Sequence, residues 1–395
     1  MRHRLLSTIL TLVACMAVSA QGTCIIKGNI ADSKLSDGKK IKKVYLTCTN
    51  ELGQKAYVAE AKVKKGRYTF SHELAQGEPV LQYTITGFGD DKGIELFVEP
   101  GEVTVNTASA TQPEHSTVAG TVTNDTYAEY KAILRDSQND VAAQLAALEE
   151  RNGKEWLTTA EGKSMVKSIK AKENIKMRSQ VFRFFIEHNA SPMTPLEVER
   201  TLLSELTPAY AEQISKSIGT PLKEHPYYLS LRNMVLANNM KVGSEVPDIT
   251  LPLQNGEVKH LTDYRGKYIV LNFWATQCDK SSEMLAELQK VYEMIRKEAD
   301  DPNQFVFVSF ALESDKAAWE SALSSNINRE GWVHACDGMG VASKAAKRFA
   351  VDEAPKMILI DPEGYAISLN LETNEVAMRL EQIVSGDLYY LDQMK

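Results

Sequence analysis

Two periods of apolar residues divide this chain. From residue 22 to 115 the apolar positions alternate in short runs: Cys24 to Ile30, Lys43 to Cys48, Arg67 to Phe70, Val80 to Ile85, Ile94 to Val98 and Val103 to Val105. Turn signals separate them, among them Ser36-Asp37-Gly38 and Glu99-Pro100-Gly101-Glu102. Short alternating runs with regular turns predict an antiparallel β-sandwich. Over 120–238 the period changes to that of a helix. Thr123-Asn124-Asp125 is an N-cap cluster, and Tyr127, Tyr130, Ile133, Leu134, Leu145 and Leu148 follow at helical spacing until Arg151-Asn152-Gly153 breaks the stripe. A second helix is predicted from about Thr159 to His188, and shorter ones follow between Pro192, Pro195, Pro208, Gly219, Pro221 and Pro226. The aromatic stripes read as core. His188 and His225 stand near helix ends, where a cap or a surface position is expected.

The third region, 242–395, opens after Gly243 with Val246 to Leu251. Its centre is Tyr268 to Trp274, an apolar run with the composition of a strand buried on both faces. Thr276, Gln277 and Cys278 come next, and a helix-period segment begins there. A cysteine at such a junction faces unpaired backbone N–H groups and the positive end of the helix dipole, which favour its thiolate. Further on are a second buried strand (Gln304 to Phe310), a helix (Ser314 to Ser324), a third helix ending near Phe349, the strand Met357 to Ile360, a turn at Asp361 to Gly364, a returning strand (Tyr365 to Leu369) and a closing helix.

The first twenty residues change the picture of where the chain works. Arg2 and Arg4 precede an apolar run, Leu5 to Val18, and Val18-Ser19-Ala20 has the small side chains of a cleavage site. Residues 1–20 therefore read as a secretory signal peptide. Leu12-Val13-Ala14-Cys15 also resembles a lipoprotein box, so a lipid anchor on Cys15 is the alternative. No later stretch is long and apolar enough to predict a membrane-spanning helix. The expected location is the periplasm or cell envelope, where disulfides persist. A net charge of −7 over 395 residues argues against nucleic acid as a partner. No metal-ligand spacing stands out, and no cofactor is implied.

Beyond the leader the cysteines are Cys24, Cys48, Cys278 and Cys336. If the first two strands pair as a hairpin, Cys24 and Cys48 can meet in a cross-strand disulfide. Two separately buried thiols are the alternative. Cys278 is the candidate nucleophile, with Lys280 favouring and Asp279 opposing its thiolate and the Ser281 hydroxyl placed to donate to the sulfur. Cys336 is the in-domain candidate for a second thiol, with a buried inert thiol as the alternative.

Asn272-Phe273-Trp274-Ala275-Thr276, with Cys278 two residues on, resembles the thioredoxin-like redoxins of the bacterial cell envelope, the TlpA/ResA type, and the lead-in from 242 is similar to theirs. That resemblance implies a thioredoxin fold over 242–395, thiol–disulfide chemistry, protein thiols, disulfides or an envelope redox partner as reactants, and a cis proline at Pro355 facing the cysteine. The chain departs from that pattern at several positions. Gln277 replaces a Trp, Ser281 replaces the second cysteine and Lys356 replaces a Thr. Glu283 stands one residue short of the family's carboxylate position, which Met284 fills, and Asn272 takes the place of a buried acid. A peroxiredoxin site is not supported, because Ala275 and Leu271 occupy its Thr and Pro positions. The alternating region, including Leu96 to Gly101, resembles the domain of unknown function 4369 that precedes redoxins in Bacteroidetes envelope proteins.

The expected architecture is thus α+β and multidomain: a signal peptide (1–20), a β-sandwich (22–115), a helical segment (120–238) and an α/β thioredoxin domain (242–395). Two functions fit. One is an exported thiol–disulfide oxidoreductase-like protein with a Cys-x-x-Ser site. The other is a non-catalytic envelope binding or scaffold protein built on a vestigial thioredoxin fold.

Overall fold

The structure is a computed structural model that describes residues 22–49, 55–89, 92–202, 208–323 and 332–386. The predicted leader and Cys15 lie outside the described residues. The described residues form two compact units, the first holding those from 22 to 198 together with 217–228, the second those from 199 to 216 and from 229 to 386.

The first unit begins with eight strands: β1 (Gly22–Asp32), β2 (Lys43–Thr49), β3 (Lys55–Lys62), β4 (Arg67–Leu74), β5 (Leu81–Thr86), β6 (Ile94–Val98), β7 (Gly101–Ser109) and β8 (Thr117–Ala119). They form two four-stranded sheets, ordered β4-β1-β7-β8 and β3-β2-β5-β6. Ile26, Tyr68, Phe70 and Val103 of the first sheet meet Val44, Leu46, Ile85 and Leu96 of the second in one apolar core, as a sandwich requires. All pairings are antiparallel except that of β1 with β7, which is parallel.

The hairpin between the first two strands, the condition for a Cys24–Cys48 disulfide, does not form. The connection 33–42 crosses to the other sheet, so β1 pairs with β4 and β7 whereas β2 pairs with β3 and β5. Cys24 and Cys48 consequently share no ladder. Both are free thiols, Cys24 buried and Cys48 half-buried.

Two long helices follow, α1 (Val122–Asn152) and α2 (Ala160–Glu187). Gly153 ends α1 with positive φ, and the Thr159 hydroxyl caps α2 by accepting from the Gly162 N–H. The base of α1 is fixed to the sandwich because Phe97 of β6 points away from the core. Its ring meets Tyr127 edge-on at 5.3 Å, and Tyr130 and Phe185 extend the cluster. Asn124 closes the joint by bonding both the N–H and the C=O of Phe97. Shorter helices α3 (Met193–Glu197), α4 (Pro208–Ser217) and α5 (Pro226–Asn238) come next. His188 is the C-cap of α2. His225, expected as a cap or on the surface, is buried and keeps the capping role. Its Nε2 meets the Val80 carbonyl at 3.0 Å, its Nδ1 accepts from the Tyr227 N–H, and burial lowers its pKa.

The second unit contains the short hairpin β9 (Thr250–Pro252) and β10 (Val258–His260). The main sequence of elements is β11 (Tyr268–Trp274), α6 (Asp279–Glu298), β12 (Phe305–Ala311), α7 (Lys316–Ala322), β13 (Trp332–Ala335), α8 (Lys344–Arg348), β14 (Lys356–Ile360), β15 (Ala366–Ser368) and α9 (Val376–Val384). The five-stranded sheet has the order β13-β12-β11-β14-β15, with β11, β12 and β13 parallel and β14 and β15 antiparallel. Both faces are covered, which is why β11 reads as a continuous apolar run. Val270 and Trp274 enter the core under α6 and α9, whereas Ile269, Leu271 and Phe273 enter the core shared with α8. This is a thioredoxin fold, and the chain as a whole is α+β and multidomain.

Candidate functional site

The site lies where β11 gives way to α6. Cys278 is the N-cap of α6, and the N–H groups of Ser281 and Ser282 bond back to its carbonyl. The thiol is half-buried. Its pKa is lowered, first by the Ser281 hydroxyl and then by the Ser281 backbone N–H, against a small cost of burial and the charge of Asp279. Ser281 is fully buried and also accepts from the Ala275 N–H at 3.2 Å, so its hydroxyl is held in the turn it supports.

On the far side of the sulfur stands the loop before β14. The Ala354–Pro355 bond is cis, and the Cys278 thiol donates to the Ala354 carbonyl at 3.5 Å. The structure therefore brings Cys278, Ser281 and Pro355 together. Cys336 is placed elsewhere. It follows β13, and β12 lies between that strand and β11, so two strand spacings of about 4.8 Å separate them. Its thiol is free and buried, donates to the Glu313 carbonyl at 3.7 Å, and has its pKa raised by burial.

The departures from the redoxin pattern find their places. Asn272 is fully buried, and its Nδ2 bonds the Val308 carbonyl and the Ser309 hydroxyl, tying β11 to β12 with a neutral group. Met284 is in the core and Glu283 is exposed, so no carboxylate projects inward from that turn of α6. Lys356 turns its ammonium to the carbonyls of Phe349 and Ala350 at the end of α8. Burial lowers its pKa.

Sequence reading missed Glu313. Its carboxylate accepts from the Thr276 N–H and so holds the loop that carries Cys278. One signal was available: Glu313 follows a buried parallel strand at its carboxyl end, where α/β sheets place functional groups. The Ala354 carbonyl carried no signal, because a backbone group has none. Among the described residues no cluster of three or more His, Cys, Asp or Glu side chains is arranged to hold a metal ion.

Fold and site together define a thioredoxin-fold domain with one cysteine at the head of its first helix. Residues 266–366 match the family model described as "Thioredoxin-like", and residues 24–127 match "Domain of unknown function (DUF4369)". The thiol–disulfide oxidoreductase ResA of Geobacillus thermodenitrificans is 39% identical over 57 residues, which cover 14% of this chain and 33% of that protein. The thioredoxin-like protein YneN of Bacillus subtilis is 35% identical over 68 residues, covering 17% of this chain and 38% of that protein. These matches span about a third of the length of the curated relatives. A solved thiol–disulfide oxidoreductase from Bacteroides fragilis covers 35% of this chain and 99% of its own, at 28% identity and a TM-score of 0.32.

Proposed function

We propose that this protein acts as a thiol–disulfide oxidoreductase-like protein of the cell envelope, exported by a signal peptide over 1–20. In this reading 22–115 is the β domain, 120–238 the helical segment and 242–395 the redox domain. Cys278 is the nucleophile. One observation carries the reading: a fully buried serine hydroxyl, fixed by the Ala275 N–H, bonds the cysteine sulfur and lowers its pKa. An inert cysteine has no need of such a partner.

The step is an exchange. The Cys278 thiolate attacks one sulfur of a substrate disulfide, a new S–S bond forms, and the other sulfur leaves as a thiolate. The number of disulfides is unchanged. The Pro355 loop frames the groove, and the Ala354 carbonyl offers a backbone acceptor to an extended substrate. Ser281 cannot act as the second sulfur, so release of the mixed disulfide falls to another thiol. Cys336 is the candidate within the domain, and to act it must leave the Glu313 carbonyl. A thiol of a partner protein is the other source.

The test is the rate of iodoacetamide alkylation of Cys278 against pH, followed by peptide mass. The expected profile breaks below the ordinary thiol value of about 8.5. A slow reaction with a break at or above that value overturns the redox role and leaves a binding module.

A further inference from the structure

The tip of the α1–α2 hairpin carries a groove that the thiol chemistry does not use. The two helices run antiparallel, as the pairs Gln144–Glu173 and Asp140–Lys176 show. Between them the short turn Trp156–Thr158 folds back onto the start of α2. Gly162 permits the close approach, because a Cβ there would overlap the Trp156 carbonyl and crowd the Leu157 Cα. The Thr159 hydroxyl fixes the turn by donating to the Trp156 carbonyl at 2.7 Å and accepting from the Gly162 N–H at 3.1 Å. Leu157 is thereby held beside α2, and with one stripe of that helix it lines an open cavity of about 580 Å³. Leu157, Val166 and Ala171 supply the apolar floor, and Lys163, Lys167 and Lys170 stand around them. The stripe ends at Asn174, so the groove follows about 16 Å of helix at 1.5 Å per residue.

The charge on this groove is positive. Lys163, Lys167 and Lys170 recur at i, i+4 and i+7, on one face of α2, and all three are exposed. Among the described residues none of them forms an ion pair. The acids of α2 stand elsewhere. Glu161 is about half a turn of helix away from Lys163, on the side where Lys172 also falls. Glu173 is buried and engaged by Gln144 and Lys176, and Asp140 holds Lys176 as well. At the tip, Glu149, Glu150 and Glu155 are set against Arg151 and Lys154, and none of these five lines the cavity. The groove thus keeps an excess of cations in a chain whose net charge is −7. The lysine stems extend the apolar floor while their ammonium groups reach water.

The geometry points to a binding site for a single-chain anionic amphiphile. Its acyl chain lies on Leu157, Val166 and Ala171, and its carboxylate or phosphate head is held by the ammonium groups of Lys163, Lys167 and Lys170. A bare anion gains nothing from the floor, and a neutral chain gains nothing from the lysines. The size of the groove selects a small occupant. Seven residues line it, against roughly 20–30 a side in a stable protein interface, whereas its volume is that of a small-molecule site. Cys278 takes no part in this binding.

The experiment is calorimetric titration of the full chain with dodecanoate below its micelle concentration, beside octanoate and dodecyltrimethylammonium. Dodecanoate is expected to bind one to one. Octanoate, with four fewer methylenes to bury, and dodecyltrimethylammonium, with the opposite charge, are each expected to bind more weakly by about tenfold or more. The Lys163→Gln/Lys167→Gln/Lys170→Gln variant should weaken dodecanoate binding by a similar factor. Ala171→Phe should do the same, because it fills the groove and leaves the lysines in place. All four positions are exposed, so both variants keep the hairpin. Lys172→Gln, on the far side of α2, should change nothing. Absence of dodecanoate binding, equal affinity for the cationic amphiphile, or an affinity unchanged in either variant overturns the site. Sedimentation with phosphatidylglycerol vesicles tests the other source of this chemistry. Vesicle binding that survives Ala171→Phe and fails in the lysine variant assigns the lysines to a bilayer surface and overturns the groove. Capture of a glutamate-rich peptide in place of dodecanoate, with the same dependence on the lysines, assigns the face to a polypeptide and also overturns it.

Discussion

The sulfur of Cys278 lies 3.5 Å from the carbonyl oxygen of Ala354, the residue joined to Pro355 by a cis bond. A protonated thiol donates to that oxygen. A thiolate has nothing to donate and is repelled by it, while its bond from the Ser281 hydroxyl strengthens with the charge. Ionisation of Cys278 therefore frees the Ala354 carbonyl to accept another N–H.

Removing the hydroxyl should separate these effects. Ser281→Ala is expected to move the Cys278 pKa up toward that of an ordinary thiol, because the largest cause of its depression is gone. Alkylation at neutral pH slows, while the rate on the alkaline plateau changes little. The sign for stability follows from linkage. A depressed thiol pKa stabilises the fold at pH above the unfolded value, and that gain is lost as pH falls through the folded value. The variant should lose stability at every pH, because the Ala275 N–H loses its acceptor, and should lose more on the alkaline side, as urea midpoints measured at several pH values will show.

Ser281→Cys restores a second sulfur at the position where redoxins carry one. The mixed disulfide formed on Cys278 should then be released by attack from within the turn. The check is the lifetime of that mixed disulfide by intact mass, long in the parent and short in the variant.

Cys24 and Cys336 should react last with iodoacetamide. Burial is the first cause raising each of their pKa values, and each sulfur is shielded as well. Alkylation of these two peptides is expected to appear only with unfolding, so it should follow the denaturant transition rather than the pH of the folded protein.

Glu245 lies between Arg232 and Arg265, 2.6 Å from each. Burial pushes its pKa up, but the two guanidinium groups outweigh it and hold the carboxylate ionised below its ordinary range. Glu245→Gln is expected to destabilise the second unit by about 1 kcal/mol at neutral pH, since two largely solvated guanidinium groups lose their charged partner. The difference between parent and variant should shrink in acid, as the parent's own carboxylate takes up its proton.

Gly28 sits opposite Tyr68 in the β1–β4 ladder, and the phenol ring covers it so closely that a Cβ there would overlap the ring. Gly28→Ala should cost about 1–3 kcal/mol by overpacking. Gly28→Ala combined with Tyr68→Ala should cost less than the sum of the two single changes, measured by denaturant unfolding.

Much of this was legible in the residues. The doubly apolar run 268–274 announced a strand covered on both faces, and Thr159 and His188 mark the caps of α2 where the sequence placed them. Pro355 was read as cis from the redoxin resemblance alone. The sandwich strands were legible but their partners were not, because alternation fixes the inward face of a strand and says nothing about which sheet it joins. That is why Cys24 and Cys48, which could have met only across a β1–β2 hairpin, stay separate thiols. β3 was overlooked since Lys55 to Lys62 carries alanines where a strand usually shows larger side chains, and β8 is too short to show a period. At the site, Cys278 and Ser281 could be named from sequence, whereas Glu313 and the Ala354 carbonyl act through the backbone of neighbouring loops and emerge only when strand ends are brought together.

The position of β1 has a consequence for how the molecule comes into being. This first strand is interior to its sheet, between β4 and β7, which arrive only at residues 67–74 and 101–109. A chain emerging from its N-terminus holds β1 without β4 until residue 74 and without β7 until residue 109. Such long-range closure is slow and leaves strand edges open meanwhile. The β1 sheet therefore stays open until β7 has appeared, and a chain interrupted before residue 101 presents an unfinished sheet to whatever holds or degrades nascent protein.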